Sequence, residues 1–600
     1  MTTAERVSAP SQPGRVIPIV EEEFADFETE ATAFLDGQRE ERTFIGFRLK
    51  QGVYGQRQPN RQMMRVKLPF GGVTADQLDA FAVVAEDYAP LGKGHITTRE
   101  NFQFHHIPLA RSVEALRILG DAGLSTREAC GNVVRNVTGD PWAGIRDDEP
   151  FDITPYAGAF VRYWVRNPLT QLLPRKFKVT FSGSEQDEAL ATIHDIGFIP
   201  RIEVIDGEEV RGFKMVTGGG LSTMAKEGVV LREFVPVDDF LRVSHAILRV
   251  FNAADELRKN LAKARMKFLV HRLGEEAWRE RIDEELAGDW TNSTEFDLEK
   301  LLFVDDEAAD APSLDVGPVE IPEDERAVFE AWYATAARKQ RQDGYVAIEL
   351  RVPQGDLSPA QFRGIAEITR KYGAGRARTT QWQNIVLRWI PEGHAYRVWK
   401  DAGALGLGDR GQREIEDIVS CPGTDSCKLG ITSSMGVNRA IGERIAELNV
   451  VDPRTRQIKI NISGCPNSCG MHHIGNIGFH GASIKAANNK DRQVPSYNIF
   501  VGGERQDGAH LRLGQILKMK IPAKRAPEVV ERFVGLYERE RQGEESFNET
   551  LDRLGTKVFE DEIRDLSVAP EFAPTDIQEF IDWEREALYV VERGEGECAV

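Results

Sequence analysis

Four of the six cysteines in this 600-residue chain fall in one stretch. Cys421-Pro-Gly-Thr-Asp-Ser-Cys427 is followed by Cys465-Pro-Asn-Ser-Cys469, a C-x5-C pair and then a C-x3-C pair. Four thiolates converging from two loops supply one sulfur per iron, which is what a [4Fe–4S] cube requires. Pro422 and Pro466 keep these turns out of helix, and Gly464 and Gly470 would let backbone approach a bulky inorganic core. A structural zinc site competes, but zinc knuckles space their cysteines as C-x2-C. Disulfides are disfavoured, because nothing in the sequence points to an oxidising compartment. Cys130 reads as a buried thiol and Cys598 as incidental.

The elements that must position these loops come as a repeat. A strand, Met63–Phe70, is punctuated by Gly71 and Gly72. Thr74 caps a helix over Ala75–Tyr88, and a strand follows from His95 through Arg99 to Ile107. The order returns as a strand over Ile348–Pro353, then Gly355, Ser358 and a helix over Pro359–Tyr372. Thr379-Thr380 echoes Thr97-Thr98, Asp401-Ala-Gly403 echoes Asp121-Ala-Gly123, and Lys459–Gly464 echoes Lys178–Gly183. Collinear matches of this kind imply a duplicated, pseudo-two-fold molecule. The copies differ where chemistry would sit. Cys465 and Cys469 align with Ser184 and Glu188, whereas Arg99 aligns with Gln381 and Lys176 with Gln457. One shared site is expected, with sulfur from the second copy and positive charge from the first.

The length implies several domains. Expected segments are an arm at 1–45 with an amphipathic helix around Glu21–Leu35, then 46–148 and 149–283 in the first copy. An acidic linker at 284–325 follows, then 326–415 and 416–566 in the second copy. An acidic tail at 567–600 closes the chain, with a helix near Ile577–Leu588. The net charge of −19 argues against a general nucleic-acid binder. No apolar run approaches the roughly 18 residues of a spanning helix, and Met1–Val20 shows no secretory h-region. Few cysteines and no export signal point to the cytoplasm, which suits an oxygen-sensitive cluster.

The cysteine pattern, Thr97-Thr98-Arg99, Arg135-Asn136, Leu173-Pro-Arg-Lys-Phe-Lys178 and the repeat together resemble the sirohaem-containing sulfite and nitrite reductases. The resemblance implies an α+β fold. Two ferredoxin-like half-repeats (46–148 and 326–415) would accompany two larger α/β domains (149–283 and 416–566) that bind sirohaem and cluster. It implies Cys421, Cys427, Cys465 and Cys469 as cluster ligands, with Cys469 bridging to the sirohaem iron. It implies Arg99, Arg135, Lys176 and Lys178 as the cations that face substrate. Sirohaem carries eight carboxylates, so a basic pocket is expected from Arg258, Asn260, Lys263 and Arg265, read as one helix. Gly218, Gly219, Gln103 and Asn467 are further pocket residues. Each has a blander reading as a surface charge, a solvated helix face or a plain turn.

Lys176-Phe-Lys178 resembles the sulfite-type motif, whereas the nitrite type resembles Lys-Trp-Asn. Six-electron reduction of sulfite to sulfide is therefore expected ahead of nitrite reduction to ammonia. A non-catalytic iron–sulfur sensor is the rival from another class; it would keep the cysteines without needing the cations. With no flavin or nicotinamide signature in view, the donor is expected to be a ferredoxin or a separate flavoprotein. Lys518, Lys520, Lys524 and Arg525 offer a local docking patch.

Overall fold

The computed structural model describes residues 11–317, 319–505, 511–594 and 596–597, so Cys598 lies outside the described residues. The repeat is visible in its capping chemistry. The side chains of Thr74 and Ser358 accept from the amides of Gln77 and Gln361, whose side chains return to the cap amides. The helices so started, Ala75–Asp87 and Pro359–Tyr372, pack together in a common core, with Phe81 and Phe362 ring centroids 5.8 Å apart.

The first copy contributes β1 (Val53–Gly55), β2 (Arg61–Val66), β3 (Gly72–Thr74), β4 (Gly94–Ile96) and β5 (Phe102–Pro108). It continues with β6 (Val134–Gly139), β7 (Phe177–Phe181), β8 (Ile196–Ile205), β9 (Glu208–Thr217) and β10 (Val229–Pro236). The second contributes β11 (Ala337–Lys339), β12 (Tyr345–Leu350), β13 (Asp356–Leu357), β14 (Arg376–Thr379) and β15 (Ile385–Pro391). Its larger sheet has β16 (Val419–Ser420), β17 (Ile460–Ser463), β18 (Ile477–Lys485), β19 (Gln493–Val501) and β20 (Gln515–Pro522).

The two smaller sheets run β1-β2-β5-β4-β13 and β11-β12-β15-β14-β3. Each is completed by a strand from the other copy. Asp356 pairs with His95 at one junction and Ala377 with Val73 at the other. The larger sheets, β6 to β10 and β16 to β20, share one topology: three parallel strands, then antiparallel hairpins. The fold is thus α+β with a pseudo-two-fold repeat. No helix among the described residues is long and apolar enough to cross a membrane.

Three expectations are corrected. The strand expected from His95 to Ile107 is broken by a turn in which the Thr97 amide donates to the Asn101 carbonyl at 2.9 Å, with Glu100 left-handed at φ 60°. In the second copy Thr380 and Asn384 make the same bond at 2.9 Å, with Gln383 at φ 69°. The shared turn sets the register, so Arg99 stands opposite Trp382 rather than Gln381. The helix expected near Ile577–Leu588 is instead a short 3-10 turn, Gln578–Phe580, and a bridge from Ile581 to Leu588. The Tyr589 amide donates to the Phe580 carbonyl at 2.7 Å, folding the segment back on itself, and Phe572, Phe580 and Leu588 pack beside Ile484 and Val494 of the β18–β19 hairpin.

The stretch between the copies is packed rather than loose. Its Glu307 is buried and binds Arg388 at 2.7 Å and Arg378 at 3.0 Å. Burial opposes its charge, but Arg388 and Arg378 outweigh burial and hold its pKa at about 2. The expected helix Glu21–Leu35 forms and buries Phe27 and Ala31.

Glu307→Ala would strand two buried guanidinium groups, at a cost of about 3–5 kcal/mol. A depressed carboxylate stabilises above its unfolded value, near 4.5 here, and loses that contribution as pH falls toward 2. Thermal unfolding across this range is expected to show the wild-type advantage at neutral pH shrinking as the solution is acidified.

Candidate active site

Cys421 follows β16 and Cys465 lies just beyond the end of β17, its parallel neighbour, so the two cysteine loops leave the sheet side by side. The Gly464 amide donates to the Cys421 sulfur at 3.2 Å. Burial first, and then the neighbouring thiols, pushes Cys421 up to about 12 and Cys465 higher still; burial and Cys469 raise Cys427 as well. Thiols crowded in a dry pocket resist ionising in one another's company, and a cationic metal core relieves that cost. Gly464 and Gly470 are required by the chain itself. A Cβ at Gly470 would stand 1.9 Å from the Ile462 carbonyl, and one at Gly464 2.7 Å from the Gly423 Cα. Among the described residues no three His, Cys, Asp or Glu groups close around a single ion.

The cations come from strand starts in the other copy. Arg135 lies at the start of β6, and Lys176 and Lys178 lie at the start of the parallel β7. The Thr98 hydroxyl donates to the Cys469 carbonyl at 2.8 Å, which fastens the Thr97–Asn101 turn to the last cysteine. Burial, then Arg99, Arg265 and Lys176, push Lys178 well below the usual lysine range, while Cys469 acts in the opposite direction.

His194 and Asp195 organise this group. The His194 Nδ1 donates to the Leu190 carbonyl at 2.7 Å, which leaves Nε2 to accept from Arg99 Nη1 at 2.8 Å. Arg99 also donates to the carbonyls of Asn136 and Val179. It therefore brings charge more than free N–H groups, although its buried Nε has no partner. Asp195 accepts from the Lys178 amide at 2.7 Å and from Arg265 at 2.8 Å. Arg99, Arg135, Lys176, Lys178, Arg265 and Cys469 are thus brought together.

Sequence reasoning missed Arg65 and His194. Arg65 on β2 faces Gln103 on β5. With its amide turned to satisfy both neighbours, Gln103 accepts from Arg65 at 2.6 and 2.8 Å. Arg65 and Arg135 both donate to the Ala129 carbonyl, at 3.0 and 3.2 Å. A signal was present, since Arg65 is replaced by Glu349 in the other copy. For His194 no comparable signal existed.

The other expected pocket residues are placed as follows. Arg258, Asn260 and Lys263 are exposed. Arg258 donates to the Leu172 carbonyl at 3.0 Å, and Asn260 caps the Ala262 amide at 3.1 Å. The chain breaks between helix Asp255–Arg258 and helix Met266–Leu273, so Arg258 and Arg265 share no helical face. The amides of Gly218 and Gly219 donate to the Asp195 and His194 carbonyls at 3.1 and 2.9 Å, which makes them a packed support turn rather than a carboxylate cradle. Asn467 lies in the Cys465–Cys469 loop, with its amide toward the Cys465 sulfur. The expected docking patch is partly spent: Arg525 binds Glu579 at 2.8 Å, and Lys524 lies over the Trp583 ring at 4.1 Å.

The pseudo-two-fold builds a mate to this site, from the ends of β6 and β7 and the starts of β16 and β17. There Glu188 replaces Cys469 and binds Arg338 and Arg413, each at 3.0 Å. Arg413 binds Glu349 at 3.0 Å and takes the Lys459 ammonium on its carbonyl. Asp140 is bound by Arg146. The mate is closed by its own ion pairs.

The model of the nitrite and sulphite reductase 4Fe-4S domain matches residues 130–289 and 411–569, and that of the nitrite/sulfite reductase ferredoxin-like half domain matches 54–122 and 338–405. The chain belongs to the nitrite and sulfite reductase family. A maize chloroplastic ferredoxin–nitrite reductase is 29% identical over 523 residues, covering 84% of each chain. A sulfite reductase [ferredoxin] of Mycolicibacterium paratuberculosis is 28% identical over 489 residues, covering 81% of each. The solved structure of Mycobacterium tuberculosis NirA protein superposes with a TM-score of 0.72 at 24% identity, covering 92% of this chain and 98% of that one. Membership implies a sirohaem and a [4Fe–4S] cluster as cofactors. The residues present fit both: four thiols on two adjacent loops, with Cys465 buried and Cys469 open toward the other copy, beside a surplus of cations suited to carboxylates and a small anion.

The two copies give opposite expectations at equivalent positions. Arg65→Gln is expected to lower kcat/KM on the order of 10²-fold, as loss of one electrostatic donor does. Glu349→Gln should leave kcat/KM within about twofold while lowering the thermal midpoint, because it weakens a structural pair with Arg413. Steady-state assays with a reduced viologen, alongside thermal unfolding, check both.

Proposed function

We propose that this chain reduces sulfite to sulfide with electrons from a ferredoxin, and takes nitrite as a poorer substrate. The observation that carries this reading is the Lys176–Lys178 pair, placed with Arg135 and Arg65 on the side of the site facing Cys469. Sulfite is a small, strongly hydrated dianion, so taking it from water requires charge-assisted donors on several sides. A second ammonium favours it over the singly charged nitrite. The ferredoxin reading rests on the names of the relatives above, which use that donor.

Cys421, Cys427, Cys465 and Cys469 would hold the cluster, with Cys469 shared with the sirohaem iron. When bound, the two groups would supply one-electron redox chemistry, passing on the six electrons that the donor provides. Arg65, Arg135, Lys176 and Lys178 would receive the anion, while His194 and Asp195 keep Arg99, Arg265 and the Lys178 backbone in place. Arg99 and Arg265 add field and carboxylate contacts. Each sulfite oxygen leaves as water, so protons must reach it. The ammonium groups of Lys176 and Lys178 can give up a proton there, whereas the arginines stay charged throughout. A sensor without catalysis would have no use for this cation group.

Lys178→Asn is expected to reduce sulfite kcat/KM on the order of tenfold, the worth of one bond to a charged group, and to affect nitrite less. Assays of both anions with reduced viologen read the difference. Equal losses would remove the reason for placing sulfite first.

A further inference from the structure

The loop that carries two of the four thiols is gripped from outside by the acidic tail. The Asp582 carboxylate accepts from the Ser433 amide at 2.7 Å. Arg585 binds Asp425 at 2.5 Å. The Tyr589 hydroxyl donates to the Ile431 carbonyl at 2.9 Å, and the Gly594 amide to the Lys428 carbonyl at 3.0 Å. The grip ends on Glu597, whose carboxylate takes Lys428 Nζ at 2.9 Å, two Arg48 nitrogens at 2.7 Å and the Gly55 amide at 2.9 Å. The Glu597 amide in turn donates to the Tyr54 hydroxyl at 2.9 Å. Only 4% of the Glu597 side chain and 7% of the Arg48 side chain are exposed, so this is a buried pair rather than a screened surface contact. Glu597 therefore joins the cysteine loop to the first copy's helix Glu41–Lys50 and strand β1.

Cys421 and Cys427 are partly exposed, Cys465 is buried and Cys469 is exposed, its carbonyl tied to the Thr98 hydroxyl of the first copy. Of the two cysteine loops, the Cys421–Cys427 loop is the one the tail covers, so release of the tail would uncover a bound cluster on that side; local opening is the route by which buried groups exchange with solvent. We propose that Glu597 is a positioning residue for the cluster, the latch that holds residues 582–594 over Thr424–Ser433 and keeps Cys421 and Cys427 closed. The proposal rests on those cysteines being the cluster ligands.

The test uses the purified holoprotein in air. Release of iron to the ferrous chelator bathophenanthroline is timed by absorbance for wild type, Glu597→Ala and Glu597→Gln, with global unfolding followed by circular dichroism in the same conditions. Release is expected to be at least about tenfold faster in Glu597→Ala and intermediate in Glu597→Gln, before any global unfolding. Glu592→Ala, which removes an exposed partner of Arg57, should match wild type. Wild-type release in Glu597→Ala, or acceleration only in step with global unfolding, overturns the latch. Should Glu597→Ala fail to accumulate, Lys428→Ala keeps the Arg48 pair and is expected to accelerate release severalfold; a wild-type rate there overturns the proposal equally. A wild-type protein with no iron–sulfur absorbance would instead sink the cysteine assignment itself.

Discussion

The structure depends on an exchange of strands between two copies of one chain segment. β3 completes the sheet of the second copy and β13 completes that of the first, so neither small sheet is whole without the other copy. The exchange locks a pseudo-two-fold relation in which the ends of the parallel strands β16 and β17 face the starts of β6 and β7. Strand ends carry loops with room for ligands, while strand starts carry side chains held in sheet register. Sulfur ligands and cations can therefore be supplied to one space by different halves, each on a rigid element.

Symmetry offers that arrangement twice, and the chain uses it once. In one site the cations outnumber the carboxylates: Asp195 pairs with Arg265, while His194 positions Arg99 without adding negative charge. Such a surplus costs stability until an anion or a carboxylate-bearing cofactor arrives. In the mate, Glu188 and Glu349 neutralise Arg338 and Arg413, and the same scaffold becomes a structural joint. Function and stability are divided between two geometrically equivalent places, a local form of the trade-off between them.

Much of this was legible in the chain. The cysteine spacing, the capping residues Thr74 and Ser358, the helix Glu21–Leu35 and the repeat itself rest on local chemistry that sequence displays directly. Lys176, Lys178 and Arg135 were legible because their neighbours form motifs. What escaped was set by tertiary contact. Arg65 lies in an ordinary strand and becomes a site residue only through Gln103 and the Ala129 carbonyl. Arg99 was aligned one position off because the left-handed turn at Glu100, which fixes its register, leaves no mark in residue type. Residues 255–265 have helical composition but break at Asn260, whose side chain caps the next turn. The tail reads as acidic in sequence, yet Phe580 buries it against the second copy and Glu597 fastens it to both copies.

The most direct measurement is the iron content of the purified chain, with its visible spectrum recorded as sulfite is added. A single site shared between the halves requires about five iron atoms per chain, four in the cube and one in the haem. It also requires haem bands that shift as one saturable transition with the anion. About ten irons per chain, or sulfite binding that leaves the haem bands unmoved, would contradict a shared site in which one half holds metal and the other holds the anion.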